Sequence, residues 1–324
     1  MGRMRYVMVA LMAVGLAACA SDKDATSTDG VTQPTTSASP ATTVEESTTT
    51  AGPTTTSAPA ELAEPEARRF EIDGAVVWAR TASDRLPERA TVVRFTEMLI
   101  DSGDGLELCL SGVDDSLPPQ CGGPVVDGLD PAGWTETLGG VTWGTRSVTV
   151  EWPAVDGRLT LLSDEPALPF ERLGDERPEG LPADCEAITT PVDQETIGAF
   201  AAENPDRVAI TRAVNLGTEV VLQVPVEHLE AVRTELSVGG AEPCLEAVEH
   251  SRAELTAAQD RLFAAGLYSE EGPVLGSGSG NSLNRLDVTL SVADRATIDM
   301  VIDAVDEPGI LHITSYSEIL EGQQ

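Results

Sequence analysis

Residues 70–163 carry short hydrophobic runs in which apolar and polar positions alternate with a period of two. In the run "RSVTVEW", Val148, Val150 and Trp152 fall on one face and polar residues on the other, which is typical of a half-buried strand. An Asp-Gly pair at 156–157 then favours a hairpin leading into "RLTLL". Because no helical period interrupts this region, it predicts an all-β sandwich or barrel domain, with an OB-like barrel among its forms.

Residues 185–320 alternate instead between helical and strand periods. The order α-β-β-α-β is predicted from "DQETIGAFAAEN" to "EPCLEAV", and again from "SRAELTAAQDRLFAAG" to "GILHITSY". Ser251 and Glu254 have the spacing of a capping box at the start of the second series. Each series supplies two helices that can cover one face of its sheet, so we predict an α+β domain made of two α-β-β-α-β repeats.

Three segments lack the large apolar residues that a core requires. Residues 19–69 are dominated by Thr, Ser and Pro, which predicts a lipid-proximal, disordered stalk. Residues 164–184 are rich in Pro, Glu and Gly and predict a linker between the two domains, and residues 321–324 form a short tail.

Residues 1–18 have the pattern of a signal peptide, because two arginines precede an apolar run at 6–16. The sequence Leu16-Ala17-Ala18-Cys19 resembles the lipobox of bacterial lipoproteins. The resemblance implies that the chain is cut before Cys19, that Cys19 carries palmitate-type acyl chains, and that these chains anchor the protein at the extracytoplasmic face of the cell membrane. The alternative is an ordinary secretory signal peptide cut near Ala18, with Cys19 incidental.

The other four cysteines are Cys109, Cys121, Cys185 and Cys244. An even number in an exported chain predicts disulfides, and four cysteines allow three pairings. We favour Cys109–Cys121 and Cys185–Cys244, since each pair then lies within one predicted domain. Zinc is the alternative, but the close paired spacing of a zinc ribbon is missing, so no metal ligand is predicted.

The net charge and the sequence motifs argue against several classes of function. The net charge of −34 argues against nucleic acid as a partner, because that binding needs a basic surface. The three histidines, His228, His250 and His312, share no metal-ligand spacing, and the sequence contains no Gly-x-Ser-x-Gly nucleophile elbow. "GSGSG" at 276–280 is interpreted as a flexible loop. We therefore predict no catalytic residue and no cofactor.

The stretch "GGAEPCLEAVEHSRAELTAAQDRL", residues 239–262, resembles the pro-region of secreted bacterial serine proteases of the alpha-lytic type. In that family Gly-Ala-x-Pro leads through a strand to His-Ser and a long helix, and "NRLDVTLSV" resembles a strand of its second half. The resemblance implies a module that binds an extracellular serine protease, as a folding aid or inhibitor. It implies no catalytic residue here, since the chain contains no Gly-Asp-Ser-Gly sequence.

Residues 109–124, "CLSGVDDSLPPQCGGP", resemble a segment of uncharacterised exported lipoproteins of high-GC Gram-positive bacteria. Pro118 and Pro119 stiffen this stretch, and a stiff exposed loop loses little entropy on binding. A structural corner that needs a disulfide is the equally supported alternative. Trp134 is the best candidate for an exposed aromatic binding residue.

Together these features predict a membrane-anchored extracytoplasmic lipoprotein that works as a non-enzymatic protein-binding module, with an extracellular protein partner and no nucleic acid. One alternative is a cell-envelope hydrolase with an unrecognised site, which predicts a cleft with a nucleophile or paired carboxylates and a strongly shifted pKa. A structure in which His250 is hydrogen-bonded to a serine and a carboxylate would favour it. The other is a structural or sensory ectodomain in which the length of the stalk matters most.

Overall fold

The computed structural model describes residues 64–323 apart from seven short gaps. The gaps are residues 111, 114–115, 170–172, 174–180, 215–218, 270–271 and 280–282. The predicted signal peptide, Cys19 and the stalk up to residue 63 therefore lie outside the described residues, as does about half of the predicted linker.

The first half of the described chain is built from strands, as its period-two pattern predicts. They are β1 (Glu66–Ile72), β2 (Ala75–Thr81), β3 (Arg89–Asp101), β4 (Leu106–Leu108), β5 (Val125–Asp127), β6 (Glu136–Leu138), β7 (Val141–Glu151) and β8 (Arg158–Pro166). The hairpin predicted between β7 and β8 is present, with Asp156 and Gly157 both at positive φ as such a tight turn requires.

Five of these strands close into a barrel in the order β3-β4-β5-β8-β7 and back to β3. All neighbours pair antiparallel except β5 and β8, which are parallel. The alternating apolar positions of the strands fill the barrel, among them Val93, Phe95, Leu99, Val148 and Leu159, each at most 1% exposed. Period-two alternation thus places one set of side chains inside a closed sheet.

The second half alternates helices and strands in the predicted order. The elements are α1 (Gln194–Glu203), β9 (Thr211–Val214), β10 (Glu219–Pro225), α2 (Leu229–Leu236), β11 (Leu245–Val248), α3 (Arg252–Ala264), β12 (Val274–Gly278), β13 (Leu286–Leu290), α4 (Arg295–Ala304) and β14 (Leu311–Gln323). In both series the first strand pairs antiparallel with the second, and the second pairs parallel with the third.

Each pair of helices covers one sheet face. Helices α3 and α4 bury residues such as Leu255 and Ile298 against Val77, Val288 and Ile313 of the large sheet. Helices α1 and α2 bury a second set against β10, comprising Ile197, Val232 and Leu236 over Leu222 and Val224. The predicted capping box is confirmed, because the Ser251 hydroxyl accepts from the Glu254 backbone N–H while the Glu254 carboxylate accepts from the Ser251 N–H.

Strand β14 links the two halves of the chain. Its first part pairs parallel with β13 on one side and with β2 on the other, and its last residues pair antiparallel with β3. The resulting 11-stranded sheet therefore contains strands from both predicted domains.

One local prediction is wrong. The "GSGSG" stretch was expected to be a loop, but Gly276, Ser277 and Gly278 belong to β12 and pair with β13. The neighbouring strand supplies hydrogen-bond partners that outweigh the low strand propensity of glycine.

Candidate functional site

Strand β11 lies at the edge of the three-stranded sheet, whose order is β11-β10-β9. The register pairs Leu222 with Leu245 and Val224 with Ala247. The Leu222 N–H donates to the Cys244 carbonyl at 3.0 Å, so Cys244, Glu246 and Val248 turn their backbone groups toward β10. The N–H and C=O groups of Leu245 and Ala247 consequently point away from the sheet.

We call the outward backbone groups of Leu245 and Ala247 the β11 edge. No hydrogen-bond partner for these groups is found among the described residues. Residues 190–192 hydrogen-bond to Glu242 ahead of the strand, but the chain then enters α1, whose N-cap is Asp193. Among the described residues the edge thus stays open along β11, and an unpaired row of donors and acceptors is a template for another strand.

The second series shows what such an edge can hold. Leu286 and Asp287 of β13 pair with Leu311 and His312 of β14 in the same way that Leu222 and Gln223 pair with Leu245 and Glu246. The outer side of β14 is occupied by β2 in parallel, with Ile313 opposite Val77. Ile313 of β14 corresponds to Ala247 of β11 in this comparison. The outer edge of β14 is paired with β2, whereas no described strand pairs with the corresponding edge of β11.

A polar cluster on the face opposite α1 and α2 fixes β11 to its neighbours. Gln223, which is fully buried, donates from Nε2 to Glu246 Oε2 at 3.1 Å. Arg212 of β9 reaches the same oxygen at 3.4 Å. One carboxylate of β11 is therefore tied to both other strands of the sheet.

The end of β11 is also held firmly. Asn284 Oδ1 accepts from the backbone N–H groups of Glu249 and His250 at 2.9 and 2.6 Å, and its Nδ2 donates to the His250 carbonyl at 2.7 Å. The next residue, Ser251, caps α3. Hydrogen bonds thus hold the chain at Glu242 before β11 and at Glu249 and His250 after it. A strand held at both ends in this way loses little conformational entropy when a partner pairs with it.

An acidic cleft opens just beyond this point, with a volume of about 440 Å³. Its ionisable lining residues come from both helical series: Asp206, Glu227, His228, Glu254, Arg261, Asp306 and Glu307. Arg261 pairs with Asp306 at 3.1 Å. Hydrogen bonds, first from the Ser251 backbone N–H and then from its hydroxyl, lower the pKa of Glu254, with a smaller contribution from nearby histidines. Glu254 is therefore ionised at neutral pH.

The predicted binding residues of the barrel lie away from β11 in the chain. Pro118 is half-buried and Pro119 is buried, while Leu117 beside them is 77% exposed. Trp134 is half-buried rather than exposed, since its ring packs against Gly144 under the Arg146 guanidinium and its Nε1 donates to the Asp130 carbonyl at 2.7 Å. A binding role for these residues stays a prediction.

Both expected disulfides are present. Cys109–Cys121 closes the loop after β4, and Cys185–Cys244 joins residues 59 positions apart immediately before β11. Cys185 and Cys244 pack with Val214 and Val221 on the sheet face opposite α1 and α2. The Cys185–Cys244 disulfide therefore stabilises the three-stranded sheet that carries the β11 edge.

The three histidines lie at separate places. His228 begins α2 beside the cleft, and His250 lies after β11 with its Nε2 3.9 Å from Glu249 Oε2. His312 Nδ1 lies 2.7 Å from Asp287 Oδ1. Within the described ranges none of them is hydrogen-bonded to a serine side chain, so the hydrolase alternative gains no support from these histidines.

Two features of this region were missed by sequence reasoning. The strand "EPCLEAV" was predicted, but its unpaired outer side was not, because strand partners are set by tertiary contacts. The Asp287–His312 pair was also missed, since it depends on the parallel register of two strands separated by α4.

The chain matches no protein-family model and no curated protein. In the part of the chain that the structure describes, no group of three or more His, Cys, Asp or Glu side chains could hold a metal ion. No helix within residues 64–323, gaps aside, is long and apolar enough to cross a bilayer.

Proposed function

We propose that this chain is a membrane-anchored extracytoplasmic lipoprotein that works without enzymatic activity as a protein-binding module. Its binding element is the β11 edge, which takes up an extended segment of a partner protein as an additional strand. The single observation that carries this proposal is the open edge beside Ala247, whose counterpart at Ile313 is filled by β2. Strand addition is a recurrent mode of peptide recognition.

The geometry of β2 on β14 suggests that the added strand runs parallel to β11. Leu245 and Ala247 together offer two donors and two acceptors. At a net ~0.5–1.5 kcal/mol for each hydrogen bond, four bonds supply ~2–6 kcal/mol. Side-chain contacts must add to this for a micromolar complex, which needs ~8 kcal/mol.

Charge indicates which segment fits best. Glu242 and Glu249 flank the strand and are exposed, and the acidic cleft follows directly. The whole chain carries −34. A partner segment with Lys or Arg side chains is therefore favoured over an acidic one.

An extracellular serine protease is the proposed partner class. The support is the resemblance of residues 239–262 to the alpha-lytic-type pro-region, because this stretch encloses β11 and most of α3.

The proposed anchor is Cys19, acylated after cleavage of residues 1–18, with residues 19–69 as the stalk. Its support is the lipobox-like sequence at 16–19. The two disulfides in the described residues agree with an extracytoplasmic location, because disulfides form and persist in exported proteins.

Two finer features of the fold belong to the proposal. The barrel is OB-like, as its strand order and its one parallel pair, β5 with β8, suggest. The two α-β-β-α-β series are an internal repeat, supported by their equal element order and equal strand pairing.

The test uses the full-length chain, an alpha-lytic-type protease and a pair of matched variants. Ala247→Pro removes the outward N–H, and proline is tolerated where the N–H faces away from the ladder. Ala247→Val keeps the N–H. We expect inhibition and a co-eluting complex at micromolar concentrations with wild type and Ala247→Val, and neither with Ala247→Pro. Equal binding by both variants would remove the β11 edge from the account, and no binding by wild type would remove this partner class.

A further inference from the structure

The sheet face opposite α3 and α4 carries two complete cross-strand rows. Trp78, Thr314, Thr289 and Gly276 face one another across β2, β14, β13 and β12. In the adjacent row lie the residues Val76, His312, Asp287 and Gly278. With strands ~4.8 Å apart, each row spans about 14 Å.

The two glycines leave space at one end of these rows. A Cβ added at Gly276 or Gly278 would meet no heavy atom of a non-adjacent residue within 4 Å. Ser277 between them faces the other way, where its hydroxyl accepts from Gln259 Nε2 at 2.8 Å. Glycine inside a strand is the residue that permits close approach of a ligand.

His312 presents an unused buried nitrogen on this face. Its side chain is 5% exposed, and Nδ1 lies 2.7 Å from the Asp287 carboxylate. Because a carboxylate only accepts, Nδ1 is the donor in this pair, which leaves Nε2 as the ring nitrogen that can bind a further group. Nε2 is buried and has no hydrogen-bond partner among the residues that the structure describes.

Trp78 presents an unused donor in the neighbouring row. Its Nε1 is buried and has no hydrogen-bond partner within the described ranges, while the residue as a whole is partly exposed. Leaving both a donor and an acceptor unpaired in this way costs free energy that a bound group could recover.

We propose that these rows form a binding trough for a neutral carbohydrate. The hydroxyls of a sugar can bind both His312 Nε2 and Trp78 Nε1–H, because a hydroxyl both donates and accepts. The indole supplies an apolar wall for a sugar ring, and the Thr289 and Thr314 hydroxyls and the outer oxygen of Asp287 supply further partners. The glycines at 276 and 278 form an open floor. This site is separate from the β11 edge.

The test is NMR titration of the full-length chain labelled with 15N. Its four tryptophans give four indole signals, and Trp78→Phe identifies that of Trp78. The probes are an N-acetylglucosamine trisaccharide, maltotriose, inorganic phosphate and spermidine, each to ~10 mM. We expect at least one of the two sugars, and neither ion, to shift the Trp78 indole signal, and Trp78→Phe, followed through backbone amide signals, to weaken that binding about tenfold.

Gly278→Val is the blocking variant, because a Cβ at this position meets no heavy atom of a non-adjacent residue within 4 Å and valine favours a strand while filling the floor. Gly198→Ala in α1, also in open space, is the matched control. A sugar shift that is lost in Gly278→Val and kept in Gly198→Ala supports the trough. No shift with either sugar, a shift with phosphate or spermidine alone, or a sugar shift that persists in Gly278→Val would overturn it.

Discussion

At the scale of single residues, Asp294 shows how one side chain joins elements that are distant in the sequence. Its Oδ1 accepts from the Thr297 N–H to cap α4, and its Oδ2 accepts from the Ala90 N–H of β3, both at 2.9 Å. The residue is 4% exposed. The helix beginning at this point was predictable from local sequence, whereas the contact with β3 depends on tertiary packing.

Replacing Asp294 with alanine should therefore lower the free energy of unfolding by about 2–4 kcal/mol. A lost N-cap costs ~1 kcal/mol, and the buried Ala90 N–H left without an acceptor costs ~1–3 kcal/mol more. Urea denaturation measures the change. Asp294→Asn, which keeps one acceptor, should lose less, and equal losses in the two variants would contradict this role.

Glu97 and Tyr316 form a second long-range pair, in which the tyrosine hydroxyl donates to the carboxylate. Burial raises the pKa of Glu97 above its ordinary 4.5, while the hydrogen bond opposes the shift. The folded state then binds more protons than the unfolded state, so stability falls as pH rises from about 4.5 through the raised pKa.

Glu97→Gln keeps an acceptor for Tyr316 but cannot ionise. Its stability relative to wild type should therefore increase as pH rises from 4 to 7, as measured by denaturant midpoints at each pH. A difference between the two proteins that does not change with pH would show that the carboxyl is not perturbed.

At the scale of elements, periodicity predicted the order of helices and strands in the second half of the chain, but in the first half it missed β1, β5 and β6, and it predicted the neighbours of no strand. Strand "GILHITSY" was predicted, yet nothing local indicates that Ile313 pairs in parallel with Val77. The prediction of a loop at residues 276–280 was wrong at 276–278 for the same reason, because glycine joins a strand when β13 offers partners. Whether the outer side of β11 is paired also depends on which strands pack beside it, so it could not be predicted from the residues of β11 alone.

The disulfide Cys185–Cys244 is predicted to stabilise the three-stranded sheet strongly. It closes 59 residues, so removing it as Cys185→Ala with Cys244→Ala should cost up to ~4 kcal/mol, against ~3 kcal/mol for the 12-residue span of Cys109–Cys121. Denaturant unfolding of the two double variants gives the comparison. A smaller loss for the Cys185–Cys244 variant would contradict the loop-length argument.

At the scale of the whole molecule, the long β14 strand ties β2 and β3 to β13, so strands from both predicted domains share one sheet. The two disulfide pairings were predictable because each joins cysteines within one predicted segment. The closed barrel was predictable only as a class, since closure depends on β3 pairing with β7 over 11-residue and longer strands.

The charge of the whole chain should make binding of a basic partner depend strongly on salt. At −34, attraction accelerates association at low ionic strength, and screening shortens its reach to ~3 Å at 1 M salt. Stopped-flow measurements should show an association rate at least ~10-fold lower in high salt, with a much smaller change in dissociation. A salt-independent association rate would contradict the proposed basic segment.

Amide hydrogen exchange along β11 tests the central claim most directly and needs no partner. Glu246 and Val248 donate to β10, whereas the N–H of Ala247 points outward. In the free chain we expect slow exchange at Glu246 and Val248 and fast exchange at Ala247, which becomes slow when a strand is added. Equally slow exchange at all three amides in the free chain would show that the edge is already closed.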